Sequence, residues 1–170
     1  MFNTSYKQWI VDQNLQDINV LRSMFEVVKS AKILGLTVRD DLKWNDHINN
    51  VTVKAPPQRV YHLKQLKRAD IHCISLLQFY CACIRPVLEY ACQSLHSSLP
   101  AYLSDQLERI QKRSLRVIYP DLSYSEALTK SSMSTFQDRR ELLCRKLFME
   151  IVDNKGHKLP QVLPPLNAIL

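Results

Sequence analysis

Only two glycines, Gly35 and Gly156, occur in 170 residues. A sandwich or barrel needs many tight turns with φ > 0, which glycine adopts without steric strain. So few glycines disfavour such folds and leave a mainly helical chain as the natural reading. The same scarcity removes the glycine-rich phosphate loops, because no G-x-G or G-x-x-x-x-G-K element exists. The length suits one domain, large enough to bury a core without metals or disulfides. A hydrophobic fraction of 46% argues against global disorder.

The formal net charge is +7. A basic surplus suits an anionic partner, of which nucleic acid is the commonest. Cys73, Cys81, Cys83 and Cys92 sit in one apolar stretch and Cys144 stands apart. An odd number clustered this way reads as buried thiols in a reducing compartment, not a disulfide framework. Met1 to Ile10 lacks the apolar core of a secretory signal. The most apolar run, Cys73 to Leu95, carries Arg85 and Glu89 near Pro86, which argues against a membrane span. The expected location is intracellular, with nucleus and cytoplasm unresolved.

Residues 1–23 read as an irregular lead-in with a short helix around Lys7 to Val11. Residues 24–41 read as a short β element: strands Met24 to Val28 and Ala31 to Val38, Ser30 turning the chain, and Arg39-Asp40-Asp41 as the exit. Residues 42–152 read as a helical bundle. Its first helix spans Trp44 to Val53, capped by Asn45 or Asp46. Pro56 or Pro57 starts the next, with Val60, Leu63 and Leu66 as its apolar stripe. A third, near Ile71 to Cys92, is capped by Asp70. It is apolar on nearly all sides, hence buried, and is kinked near Ala82 by Pro86. Ser97 to Pro100 is a loop.

Ala101 to Tyr119 is the clearest amphipathic helix. Leu103, Leu107, Ile110, Ser114 and Val117 or Ile118 face one way. Tyr124 to Lys130 is short. Ser134 or Thr135 caps a last helix, Phe136 to Val152, with Leu143, Leu147 and Ile151 buried and Arg139, Arg140, Arg145 and Lys146 exposed. Residues 153–170 read as an extended tail.

Adjacent aspartates, Asp40-Asp41, invite a magnesium site. Their place after a strand suits turn residues better. Cys81, Cys83, Cys92 and His96 are a poor zinc set, since Cys81 and Cys83 lie about 200° apart on a helix. His47, His62, His72, His96 and His157 are scattered. No catalytic residue, metal or cofactor is expected. The basic helix faces are the chemical signal. One holds Lys54, Arg59, Lys64, Lys67 and Arg68; the other holds Arg109, Lys112, Arg113 and Arg116. Such rows neutralise phosphates and release counterions, and Tyr61 beside His62 offers a stacking surface. The same rows also fit an ordinary solvated helix face.

Several segments, taken in order, resemble the reverse transcriptases of non-LTR (LINE-like) retrotransposons. Lys32-Ile33-Leu34-Gly35-Leu36 is similar to that family's K-x-LG-V strand. Asp41 to Ile48 is similar to its L-x-W-x-x-H-I. Arg59 to Ala69 is similar to its R-L-x-x-L-x-x-L-K-R-A helix. Phe79-Tyr80 with Ile84 to Cys92 is the most specific segment. Leu107 to Ile118 resembles L-E-x-[IV]-Q-K-R-A-L-R-I-I, and Asp138-Arg139-Arg140 with Leu143-Cys144 continues it. Together they cover about Val27 to Leu159.

Three departures stand out. Pro56-Pro57 interrupts a helix the family makes continuous, Leu95 replaces a tryptophan, and Ser98 replaces a glycine. The resemblance implies that Lys32 to Val38 is the primer-grip strand and that Trp44 onward is the thumb. In that family the thumb holds an RNA or DNA duplex by its backbone. The family's catalytic aspartates lie upstream of the matched region. Nothing in Met1 to Lys29 resembles them, and Asp40-Asp41 follows the grip strand. The implied molecule is a truncated RNA-directed DNA polymerase fragment, not an enzyme by itself. Its expected partners are a duplex and the polymerase palm domain. A domesticated protein-interaction module and a functionless element relic are the alternatives.

Overall fold

Two antiparallel hairpins come first and helices follow in the computed structural model, which describes residues 17–20, 23–26, 28–53, 56–154, 156, 158 and 159. The chain forms two units, Met1–Lys43 and Trp44–Leu170. In the first, β1 (Asp17–Val20) pairs with β2 (Ser23–Glu26). β3 (Ser30–Ile33) pairs with β4 (Leu36–Arg39), with Ile33 opposite Leu36. The expected single strand from Ala31 to Val38 is therefore a hairpin. Leu34 and Gly35 have φ of 47° and 85°. A two-residue loop with both φ positive matches the twist of paired strands, so the turn overrides the β-branched run around it.

Ser30 opens β3 instead of turning the chain. The stretch that the resemblance makes one primer-grip strand folds back on itself at Leu34-Gly35. β1 lies in the stretch expected to be irregular. The expected helix around Lys7 to Val11 lies outside the described residues.

The second unit is helical. α1 (Asn45–Val53) buries His47 and Ile48. α2 (Pro56–Arg68) begins on a proline, whose missing N–H costs nothing in a first turn, and buries Val60 and Leu63. It ends in a left-handed residue, Asp70, at φ 57°. The amide of Ile71 donates to Leu66 O at 3.2 Å and that of Asp70 to Lys67 O at 3.1 Å. This is the Schellman arrangement that glycine usually makes. Asp70 thus closes α2 and does not cap the following helix, contrary to the expectation from sequence. His72 caps it instead, its Nδ1 accepting the Ile74 amide at 3.4 Å.

That following run is α3 (Cys73–Phe79), a π-helical turn (Tyr80–Ile84) and α4 (Arg85–Glu89). Pro86 has no N–H, and its ring would strike the Ala82 carbonyl in regular α-geometry. The wider turn accommodates it, with the Arg85 amide reaching back to Tyr80 O. Near Ala82, where a kink is expected from sequence, the helix widens into this π turn. Leu76, Tyr80, Ile84, Leu88 and Cys92 are buried at four-residue spacing. In a straight helix that spacing drifts about 40° per turn. The wide turn absorbs part of the drift for the four residues of this run, Leu76, Tyr80, Ile84 and Leu88. Ile71, Ile74 and Tyr90 are exposed, so the run buries one face only and is not enclosed all round. Cys92 is the buried thiol; Cys73, Cys81, Cys83 and Cys144 are half-buried, and all five are free.

Ala91, left-handed at φ 52°, leads into α5 (Cys92–Leu95) and a 3-10 turn, His96–Ser98. α6 (Ala101–Ile118) is the hub and packs on α1, α2 and α3. It also touches α7 (Tyr124–Ser131) and α8 (Phe136–Asp153). A Ser123–Glu126 capping box starts α7 and Thr135 caps α8. In α8 the buried residues are Phe136 and Arg140. Arg140, expected in solvent, is 1% exposed; Leu147, expected in the core, is 39% exposed. Leu143 and Ile151 are only half covered. The turn at the start of α8 is the part that docks, and its last turns project Phe148, Met149 and Val152 outward. Most of the expected tail lies outside the described residues. Among the described residues no helix is long and apolar enough to cross a membrane. The protein is mainly α with short β-hairpins before the helices.

Candidate nucleic-acid interface

The second basic row is a coherent surface. Leu103, Leu107, Leu115 and Ile118 turn inward, so Arg109, Lys112, Arg113 and Arg116 fall on the opposite side of α6, and all four are exposed. Their i, i+3, i+4, i+7 spacing sets one stripe about 10 Å long. Lys112 Nζ rests 5.1 Å from the centre of the Tyr124 ring. Arg109, Arg113 and Arg116 make no hydrogen bond or ion pair with any described residue. Nothing in the described fold neutralises these three guanidinium groups.

The first row is broken up. Lys54 lies outside the described residues. Arg59 is half-buried and its guanidinium donates to the Cys83 carbonyl of the π turn. It braces α2 against that turn. Lys67 donates to the Ile118 carbonyl at 3.5 Å, at the negative end of α6. Lys64 is half-buried and Arg68 is exposed, neither with a partner among the described residues. Tyr61 is 57% exposed, edge-on to His62 at 5.9 Å between ring centres.

The fold brings parts of both rows to one place, the last turn of α6. Lys67 reaches Ile118 there, and Lys130 of α7 lies 5.5 Å from the Tyr119 ring centre. Sequence reasoning missed Lys130, since a lone lysine ending a short helix carries no signal before the helix is placed.

A buried polar network decides which side of α6 faces out. Gln111 is fully buried. Its Oε1 accepts from the Tyr80 hydroxyl at 2.8 Å. Its Nε2 donates to the Tyr124 hydroxyl at 2.9 Å and the Ser134 carbonyl at 3.0 Å. The Tyr124 hydroxyl donates to Glu108. That carboxylate also accepts the amides of Phe136 at 3.2 Å and Gln137 at 3.3 Å, an anion set on the N-terminus of α8. Burial pushes the Tyr80 phenol above its ordinary range. Burial and the Glu108 carboxylate do the same to Tyr124. With α7 and α8 both tied to it, α6 cannot rotate, and the arginine stripe stays outward. Gln111 was legible in principle, because it falls on the apolar side between Leu107 and Leu115.

Asp40-Asp41 is a turn. The Asp41 carboxylate accepts from Arg39 Nε at 3.0 Å and the Lys43 amide at 3.2 Å, with Lys43 Nζ at 3.3 Å. Burial pushes its pKa up, but these donors win and hold it at about 2. Asp40 accepts the Asp41 amide at 2.8 Å. Both carboxylates are engaged within their own turn. Among the described residues no three His, Cys, Asp or Glu side chains cluster as metal ligands. Glu89 pairs with Arg139, by Nη2 at 3.2 Å and by Nε, and with Arg85 at 3.6 Å. Arg139 is thus half-buried in an ion pair and not part of an open basic face.

No protein-family model, curated protein or solved structure matches this chain.

Proposed function

We propose that this chain is the thumb-like part of a non-LTR reverse transcriptase and grips a nucleic-acid duplex by its phosphates through α6, with no polymerase active site of its own. The observation that carries the reading is the stripe of Arg109, Lys112, Arg113 and Arg116, exposed and without carboxylate partners among the described residues. Row-like cations on a rigid helix neutralise backbone phosphates without reading sequence. Lys64, Lys67 and Arg68 extend the footprint, and Tyr61 supplies a ring for a sugar or base.

The test is binding of the purified chain to an RNA–DNA duplex at two salt concentrations. Four phosphate contacts give a salt slope near −3.6, so affinity falls roughly 100-fold between 50 and 200 mM salt. Binding that ignores salt would overturn the reading.

A second reading is favoured by a different observation. Leu142, Phe148, Met149 and Val152 on α8 are each about half exposed or more. A helix with this much uncovered apolar surface suits a protein partner, the polymerase palm domain among them. Such binding would barely respond to salt.

A further inference from the structure

Arg140 is the one buried arginine among the described residues, and it forms no ion pair with any of them. Its Nε donates to Phe136 O at 3.3 Å and its Nη2 donates to the Ser104 hydroxyl, while Nη1 is buried with no partner. The guanidinium also lies 5.3 Å from the Phe136 ring centre. No carboxylate of a described residue comes within ion-pairing distance of it. Burying an unpaired charge is costly, and folded proteins nearly always pair or coordinate it. Burial depresses the Arg140 pKa, and the Glu108 carboxylate offsets this only in part.

Beside Arg140 is a cavity of about 230 Å³ lined by His96, Ser104, Asp105, Gln137 and Arg140 itself. It abuts the first turn of α6, an 18-residue helix whose N-terminus no side chain caps. That end carries partial positive charge and amides suited to an oxyanion. A buried guanidinium with no ion pair and an unpartnered nitrogen, a hydroxyl bonded to it, and an uncapped helix start therefore converge on one small polar cavity.

We propose that this cavity binds a phosphate group, held by Arg140, Ser104 and the first turn of α6. His96 is disfavoured as a cation by burial and by Arg140, so it serves as a neutral hydrogen-bonding wall. Asp105 is the single acidic lining residue and is exposed. Its charge opposes a dianion more than a monoanion, which favours a phosphodiester over free phosphate. The cavity stands apart from the duplex reading, since none of the four stripe residues of α6 lines it.

The test is thermal melting of the full chain with millimolar inorganic phosphate against chloride at matched ionic strength. Phosphate should raise Tm by on the order of 5 °C at about 20 times its Kd, the shift growing with the logarithm of concentration. Ser104→Asp places a carboxylate beside Arg140 and should abolish the phosphate response. Asp105→Asn, at an exposed position, should tighten phosphate severalfold, and it keeps the test open if Ser104→Asp does not fold. Arg113→Glu with Arg116→Glu should leave the response intact, which separates this site from the duplex surface. Displacement of phosphate by an oligonucleotide lacking terminal phosphates would mark the diester as the ligand; its failure to compete would mark free phosphate. No response beyond chloride, an equal response in Ser104→Asp, or an unchanged affinity in Asp105→Asn would overturn the proposal.

Discussion

Replacing Gln111 by leucine probes the network that orients the basic face of α6. Tyr80 is wholly buried, and its hydroxyl has Gln111 Oε1 as partner. In Gln111→Leu that hydroxyl stays in the core with nothing to donate to. A buried polar group left unpaired costs about 1–3 kcal/mol. The Ser134 carbonyl also loses a donor, but Ser134 is exposed and water can replace it. Tyr124 keeps its bond to Glu108. The expected loss is therefore about 2–3 kcal/mol, most of it from Tyr80. Tyr80→Phe alone strands the Gln111 oxygen and should cost about 1–2 kcal/mol. The double variant removes both orphaned groups, so it should cost less than the sum by about 2 kcal/mol. Urea unfolding followed by helical circular dichroism measures all four corners of the cycle. Additivity within about 0.5 kcal/mol would refute the idea that these two side chains form one unit.

Other outcomes follow from the same structure. Reversing Arg113 and Arg116 to glutamate should lower duplex affinity at least tenfold and flatten the salt slope by about 2, with the helical signal unchanged. Ser132 and Asp70 are exposed non-glycine residues at φ 54° and 57°. Glycine at either should raise stability by about 0.5–1 kcal/mol, read as a higher Tm, because it removes the left-handed Cβ clash at some cost in unfolded-chain entropy. The Asp41 pKa is held at about 2, below its ordinary 3.8. Its contribution is therefore complete above 3.8 and is lost as pH falls toward 2. Backbone chemical shifts across β3 and β4 should move in that window, and Asp41→Asn should remove the step. The purified chain with magnesium should extend no primer, and any measurable extension would contradict the reading that it carries no active site.

The sequence by itself determined that this is a mainly helical protein. Glycine is too scarce for a turn-rich β fold, and apolar periodicity marks α6. Pro56 or Pro57 and Ser134 or Thr135 mark two helix starts through local chemistry that needs no tertiary context, and the helices begin at Pro56 and after Thr135. The outward stripe of Arg109, Lys112, Arg113 and Arg116 was legible for the same reason, since at about 100° per residue it centres roughly half a turn from the side of Leu107 and Leu115.

What only tertiary structure decided lies where distant segments meet. Leu34-Gly35 became a hairpin loop because β3 and β4 pair across it. Asp70 closed one helix in place of opening the next, because its left-handed backbone lets two amides reach back into α2. Arg59 and Arg140 looked like surface charges in the sequence. Packing drew one onto the carbonyl of Cys83 and the other into the core beside Ser104. A charge pattern read along one helix cannot show whether a guanidinium faces water or a neighbouring helix, because that depends on residues 24 and 36 positions away.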